Sequence, residues 1–130
     1  MQKSVFTRII DGEIPCHKVY EDELTIAIIP LYPIAVGHVL VISKTQVDEF
    51  FELNERDYLA LMQTVKKVAK RMKEILGTKR VGLQVIGVDV AHVHIHVVAF
   101  NNIDEYKENR DETVPVDELE LARLASLLAF

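Results

Sequence analysis

The sequence predicts an α+β fold: an antiparallel sheet with a short N-terminal helix, one long helix and a C-terminal helix packed on it. Three observations lead there. Periodic segments follow in the order helix, strands, helix, strands, helix, without the strict alternation of a parallel sheet. The segment Asn54–Leu76 carries an apolar stripe at helical spacing, long enough to cover a sheet. The length, 130 residues, is that of one domain, expected to span 1–130.

Each element has its own signal. Ser4 to Ile10 reads as a short helix, with Ser4 as N-cap and Gly12 as its stop. Pro15 blocks continuation, and Lys18-Val19-Tyr20-Glu21 alternates as a strand does. After a turn at Asp22-Glu23, Thr25–Ile29 is a second, apolar strand. Pro30, Pro33 and Gly37 mark a rigid loop before His38–Ile42, a β-branched run expected to be covered on both faces. In the long helix Asn54 caps and Asp57 takes the capping-box position. Its stripe is Tyr58, Leu61, Met62, Val65, Val68, Ala69, Met72, Ile75 and Leu76, and Gly77 ends it as a left-handed cap. Arg80–Ile86 and His92–Phe100 read as strands around a turn at Gly87-Val88-Asp89. Asp117 caps a last helix, Glu118–Leu127, with Glu120 completing a capping box.

Composition excludes several roles. The chain is 49% apolar and 27% charged, which is globular rather than disordered. No apolar run approaches the roughly 20 residues of a membrane span. The start, Met1-Gln2-Lys3-Ser4, lacks a signal-peptide core, so a cytoplasmic location without a membrane partner is expected. A formal charge of −5 argues against a nucleic-acid partner. One cysteine cannot form an intrachain disulfide. The charge is uneven: residues 101–120 hold eight acids against Lys107 and Arg110. Lys66, Lys67, Lys70, Arg71, Lys73, Lys79 and Arg80 gather around the end of the long helix, as a solvated face complementing its dipole or as an anion-binding patch.

His92-Val93-His94-Ile95-His96-Val97-Val98 is the segment that composition would not anticipate. Alternate strand residues share a face, about 6.6 Å apart. Val93, Ile95 and Val97 then turn to the core and the three imidazoles turn the other way. A hydrogen-bonded ladder without chemistry, a metal site and nucleophilic catalysis all remain open to such a row. The spacing is wide for one ion held at about 2.0–2.1 Å, and no paired cysteines accompany it. Neutral imidazole is a good nucleophile near pH 7, and neighbouring histidines can donate protons and stabilise charge.

His92–Val98 resembles the His-φ-His-φ-His-φ-φ signature of the histidine triad (HIT) family of nucleotide hydrolases and transferases, in a bacterial-type variant of its Hint-like branch. Phe6–Pro15 is similar to the family's opening helix and Gly-Glu-Ile-Pro turn. Val19–Glu23 and Gly37–Lys44 are similar to its first and third strands. The likeness covers about residues 4–100; the acidic tail and last helix, 101–130, match loosely. It implies a HIT-like fold and a homodimer with the long helix and adjacent strand at the interface. It also implies a nucleotide-type small-molecule substrate, cut at the α-phosphate without a cofactor. That substrate would be a nucleoside phosphoramidate, a nucleotidyl adduct or a dinucleoside polyphosphate. The alternative is a nucleotide-binding regulatory protein with little or no turnover.

Carried over by position, the resemblance makes His94 the nucleophile. His96 would donate to phosphate oxygens or the leaving group, and His92 would support the phosphate site. His38 would stand behind the triad on the neighbouring strand, and Phe6, Ile9, Ile28 and Leu31 would hold the base. The sequence also departs from the family. Pro30 stands where many members carry a ribose-binding aspartate, and Val36 and Ser43 where prolines are common. Val88-Asp89 replaces a Gln-Ser or Gln-Thr pair; Asp89 would orient a histidine or act as a general acid. Ser4 and Thr7 occupy the Cys-x-x-Cys positions of zinc-binding relatives, so no metal is expected.

Overall fold

Capping chemistry sets the helix ends. In this computed structural model, which describes residues 2–35, 37–106 and 113–130, Ser4 caps α1 (Val5–Ile10) by accepting from the Thr7 N–H at 3.0 Å. Val36 and residues 107–112 of the acidic stretch lie outside the described residues. Asn54 caps α2 (Glu55–Leu76), accepting from the Asp57 N–H at 2.8 Å. Gly77 closes α2 at φ 65°, a left-handed conformation that glycine takes without strain. Asp117 caps α3 (Glu118–Leu128), but the capping box is not completed. Glu120 instead takes both oxygens to Arg123, at 2.7 and 2.9 Å, a stronger charge-assisted pair.

The strands β1 (His17–Glu21), β2 (Thr25–Ile29), β3 (Gly37–Ser43), β4 (Arg80–Gln84) and β5 (His94–Phe100) form one antiparallel sheet in the order β1-β2-β3-β5-β4. The first three are a meander. Helix α2 then carries the chain to the far edge, and β5 inserts between β3 and β4. Alternation along β5 divides the molecule into two layers. Ile95 and Val97 pack with Val39 and Val41 of β3 against the α2 stripe (Leu61, Val65, Val68, Met72) and against Leu121, Leu124 and Leu128 of α3. The opposite face carries Ile26, Ile28, Leu40 and Ile42, covered by Phe6 of α1. Strand β3 is buried at every position, as its unbroken apolar run predicts.

Gly37 permits the close approach of α2 to the sheet. A Cβ there would lie 2.6 Å from Leu76 Cδ1 and 2.9 Å from the Ala99 Cβ. Part of the basic cluster serves helix ends: Arg71 donates to the carbonyls of Leu127, Leu128 and Ala129 at the end of α3, at 3.1–3.4 Å. No helix among the described residues is long and apolar enough to cross a membrane.

Two strand ends differ from the sequence reading. Strand β4 stops at Gln84 rather than Ile86, and β5 begins at His94 rather than His92. The β3 ladder ends where Ile42 pairs with His94. Beyond it the Val93 N–H donates to the Val47 carbonyl at 2.8 Å, so a loop partner replaces a strand partner. Single 3-10 turns at Phe50–Glu52 and Ile103–Glu105 are too short to leave a periodicity in the sequence.

Candidate active site

Strand register gathers the polar groups. Ile28 pairs with Leu40, Leu40 with His96, and His96 with Gln84, so these four make one row across the sheet. Ile26, Ile42 and His94 make the adjacent row on the same face. Phe6 of α1 meets the His94 ring edge-on at 4.9 Å between centres and the His92 ring at 5.7 Å. The rings of His94 and His96 are 5.1 Å apart. Strand alternation places the imidazoles away from the α2 core, but it does not foretell their burial. With α1 over them, His92 is fully buried and His94 and His96 are 5% and 8% exposed.

Buried ring nitrogens need partners, and the partners assign the protons. The Ile34 N–H donates to His38 Nδ1 at 2.8 Å. His38 therefore carries its proton on Nε2 and donates it to His96 Nδ1 at 2.9 Å. That leaves the proton of His96 on Nε2. His94 is set the opposite way: its Nδ1–H donates to the His92 carbonyl at 2.7 Å, and Nε2 keeps its lone pair. His92 spends both nitrogens, Nε2–H on the Ser43 carbonyl and Nδ1 on the Ser4 hydroxyl, each at 2.6 Å. Two adjacent imidazoles thus present unlike nitrogens.

Burial pushes the pKa of His94 below the ordinary histidine value, more strongly than the His92 carbonyl and the Asp89 charge raise it. Burial likewise lowers that of His92, against the Ser43 carbonyl and with help from His94. Both rings are held neutral.

Ser4 has two tasks, capping α1 and fixing His92. The Ser4 N–H and the Thr7 hydroxyl both donate to Gln46 Oε1, at 2.9 and 2.6 Å. Gln46 Nε2 in turn donates to the Gln2 carbonyl at 2.9 Å. This cluster ties the first helix to the triad. Sequence reasoning singled out Ser4 and Thr7 but missed Gln46, which has no local pattern to betray it. Among the described residues no group of three or more His, Cys, Asp or Glu side chains could hold a metal ion.

Among the described residues, two clefts open on the histidine face of the sheet. The first, about 340 Å³, brings together Phe6, Ile9, Ile28 and Leu31, with Pro30 and Leu40 in its wall. His17 and Glu118 border it and share a 2.6 Å hydrogen bond. Pro30 offers no side-chain acceptor there. The second, about 300 Å³, is lined by Ile34, Gln84, Ile86, Gly87, Val88, Asp89, His94 and His96. His92 and His38 line neither and stand behind the two reachable rings. Gln84 also escaped the sequence reading. Its Oε1 is buried without a hydrogen-bond partner, and only the register opposite His96 reveals it.

The arrangement has counterparts among known proteins. A family model described as HIT domain matches residues 11–103. An uncharacterised HIT-like protein of Methanocaldococcus jannaschii is 34% identical over 99 residues, covering 72% of this chain and 76% of its own length. An adenosine 5′-monophosphoramidase of Schizosaccharomyces pombe is 32% identical over 103 residues, covering 78% of this chain and 77% of its own length. A solved HIT-like protein from Bartonella henselae superposes with a TM-score of 0.82 at 24% identity, over 97% of this chain and 93% of that one. A zinc-bound histidine triad family protein from Mycobacterium smegmatis does so at 0.77 and 27% identity, over 95% and 91%. Family model, relatives and fold agree, and the chain belongs to the histidine triad (HIT) family.

Proposed function

We propose that this protein hydrolyses a nucleotide derivative at its α-phosphate through a nucleotidyl intermediate on His94. One observation carries the reading: adjacent buried imidazoles of opposite tautomer, a lone pair on His94 Nε2 and a proton on His96 Nε2, border one cleft. The phosphoramidase name of the fission-yeast relative supports a phosphoramidate as the substrate.

In this reading the base lies against Phe6, Ile9, Ile28 and Leu31, and the leaving group takes the cleft of Gln84 and Asp89. His94 Nε2 attacks phosphorus; the P–N bond to a protonated leaving nitrogen breaks, and the amine departs with that electron pair. His96 Nε2–H donates a hydrogen bond to the phosphoryl oxygens and takes no proton itself. While it holds phosphorus the His94 ring is cationic, stabilised by the His92 carbonyl on its Nδ1–H and by the charge of Asp89. Water then attacks phosphorus and releases a proton to solvent. The P–Nε2 pair returns to His94, and the nucleoside monophosphate leaves. His92 and His38 act by fixing the tautomers of the two reacting rings.

Nucleoside monophosphate release from an adenosine phosphoramidate, by wild type and by His94→Ala, tests this. The variant is expected to lose about a thousandfold or more in kcat. Equal rates would remove His94 from the chemistry. Nucleotide binding without turnover in the wild type would make the protein a regulatory nucleotide binder instead.

We assign a homodimer interface to α2 and β4. Strand β4 is an edge of the sheet, and Leu83 on it is 52% exposed on the side that α2 packs.

A further inference from the structure

We propose that Glu118, held by His17 at the mouth of the cleft that takes the base, makes this site prefer guanine over adenine. The inference rests on the reading of that cleft as the base site and narrows its substrate. Phe6, Ile9, Ile28 and Leu31 give a purine apolar contact, which does not distinguish one purine from another. What distinguishes them is the edge, where the pattern of N–H donors and lone pairs differs. His17 and Glu118 border the same cleft. Their side chains are 20% and 66% exposed, which sets the pair at the mouth rather than the floor. Glu118 lies beyond residues 11–103, the span matched to the HIT domain, so family membership does not specify its role.

Two elements fix the carboxylate. Glu118 is the first residue of α3, which Asp117 caps and whose Leu121, Leu124 and Leu128 are packed in the core. His17 comes from β1, where it pairs with Ile29, next to Pro30 in the cleft wall. Its Nε2–H donates to Glu118 Oε2 at 2.6 Å. An ionised carboxylate accepts at about four lone-pair positions, so that bond leaves acceptor capacity on both oxygens. Guanine presents two adjacent donors to such a group, N1–H and the 2-amino group, which match its two oxygens as a fork. Hypoxanthine keeps N1–H and lacks the amino group. Adenine offers one donor, the 6-amino group, beside the lone pair of N1, which faces a carboxylate oxygen with no proton between them. Adenosine compounds still enter, because the apolar walls hold either purine; the carboxylate ranks them.

The test is titration calorimetry of the full chain with guanosine, inosine and adenosine 5′-monophosphates (GMP, IMP and AMP), which share sugar and phosphate. Affinity ratios are compared within wild type, Glu118→Gln and Glu118→Ala, so that a general loss of binding cancels. The wild type is expected to bind GMP roughly tenfold more tightly than AMP, the scale of one charge-assisted hydrogen bond, with IMP between them. Glu118→Gln turns one acceptor into a donor, which fits adenine N1 and its 6-amino group, so AMP should then bind at least as tightly as GMP. Glu118→Ala should bring the three affinities together. AMP as tight as GMP in wild type, or a ranking unchanged in both variants, overturns the proposal. A 2′,3′-dideoxy GMP serves as the sugar control. If the three bases bind alike and only the loss of the sugar hydroxyls depends on Glu118, the carboxylate reads the sugar and the proposal is overturned too. Binding is read without turnover, so equal affinities alongside phosphoramidate hydrolysis overturn this proposal alone. Failure of every nucleotide to bind overturns the reading of the cleft as well.

Discussion

Two histidines two positions apart acquire opposite protonation patterns because one faces a backbone carbonyl and the other a neighbouring imidazole. The same burial has a thermodynamic consequence. In the unfolded chain His92 and His94 take up protons near 6.5, whereas folding holds both below that value. As pH falls below 6.5 the unfolded chain binds more protons than the folded one. Stability is therefore full above that point, declines as pH drops through it, and levels off below the folded-state pKa values. Urea midpoints should follow this course, with a smaller decline in His92→Asn. A midpoint constant across the window would contradict neutral burial of the pair. The His-φ-His spacing marked the shared face of these rings, but their tautomers depend on Ile34 N–H, Ser43 O and Ser4 Oγ. Those partners lie far along the chain and leave no local pattern.

Among the elements, the helices were the most legible, because cap residues and stripe period act within a few positions of each other. Asn54, Gly77 and Asp117 stand at the ends they were read to mark. Strand ends were less so: β5 begins at His94 because Val47, in a loop, takes the Val93 N–H. The docking of α2 was hidden too, since a glycine at a strand start does not announce which helix approaches it. With Leu76 Cδ1 and the Ala99 Cβ inside normal contact distance of any added Cβ, Gly37→Ala should cost about 1–3 kcal/mol. Leu76→Ala in the same chain should recover part of that, because its methyl is the nearest atom. Additive losses in a denaturant double-mutant cycle would contradict the steric reading.

Across the whole molecule, β5 separates two functions of one sheet: a packed core with α2 and α3 on one face, and the histidines with α1 on the other. Period-2 alternation made that division readable. The Ser4–Thr7–Gln46–His92 cluster and Gln84 became visible only once long-range register was known. The proposed pairing of two β4 edges predicts that Leu83→Asp shifts sedimentation from dimer to monomer. A wild type that sediments as a monomer would contradict it. A covalent nucleotidyl-His94 intermediate requires two in-line displacements at phosphorus, and hence net retention of configuration. Hydrolysis of an adenosine phosphoramidothioate of single configuration in isotopically labelled water reads this directly. Retention is the expected result; inversion would mean that water attacks the substrate itself and that His94 is not the nucleophile.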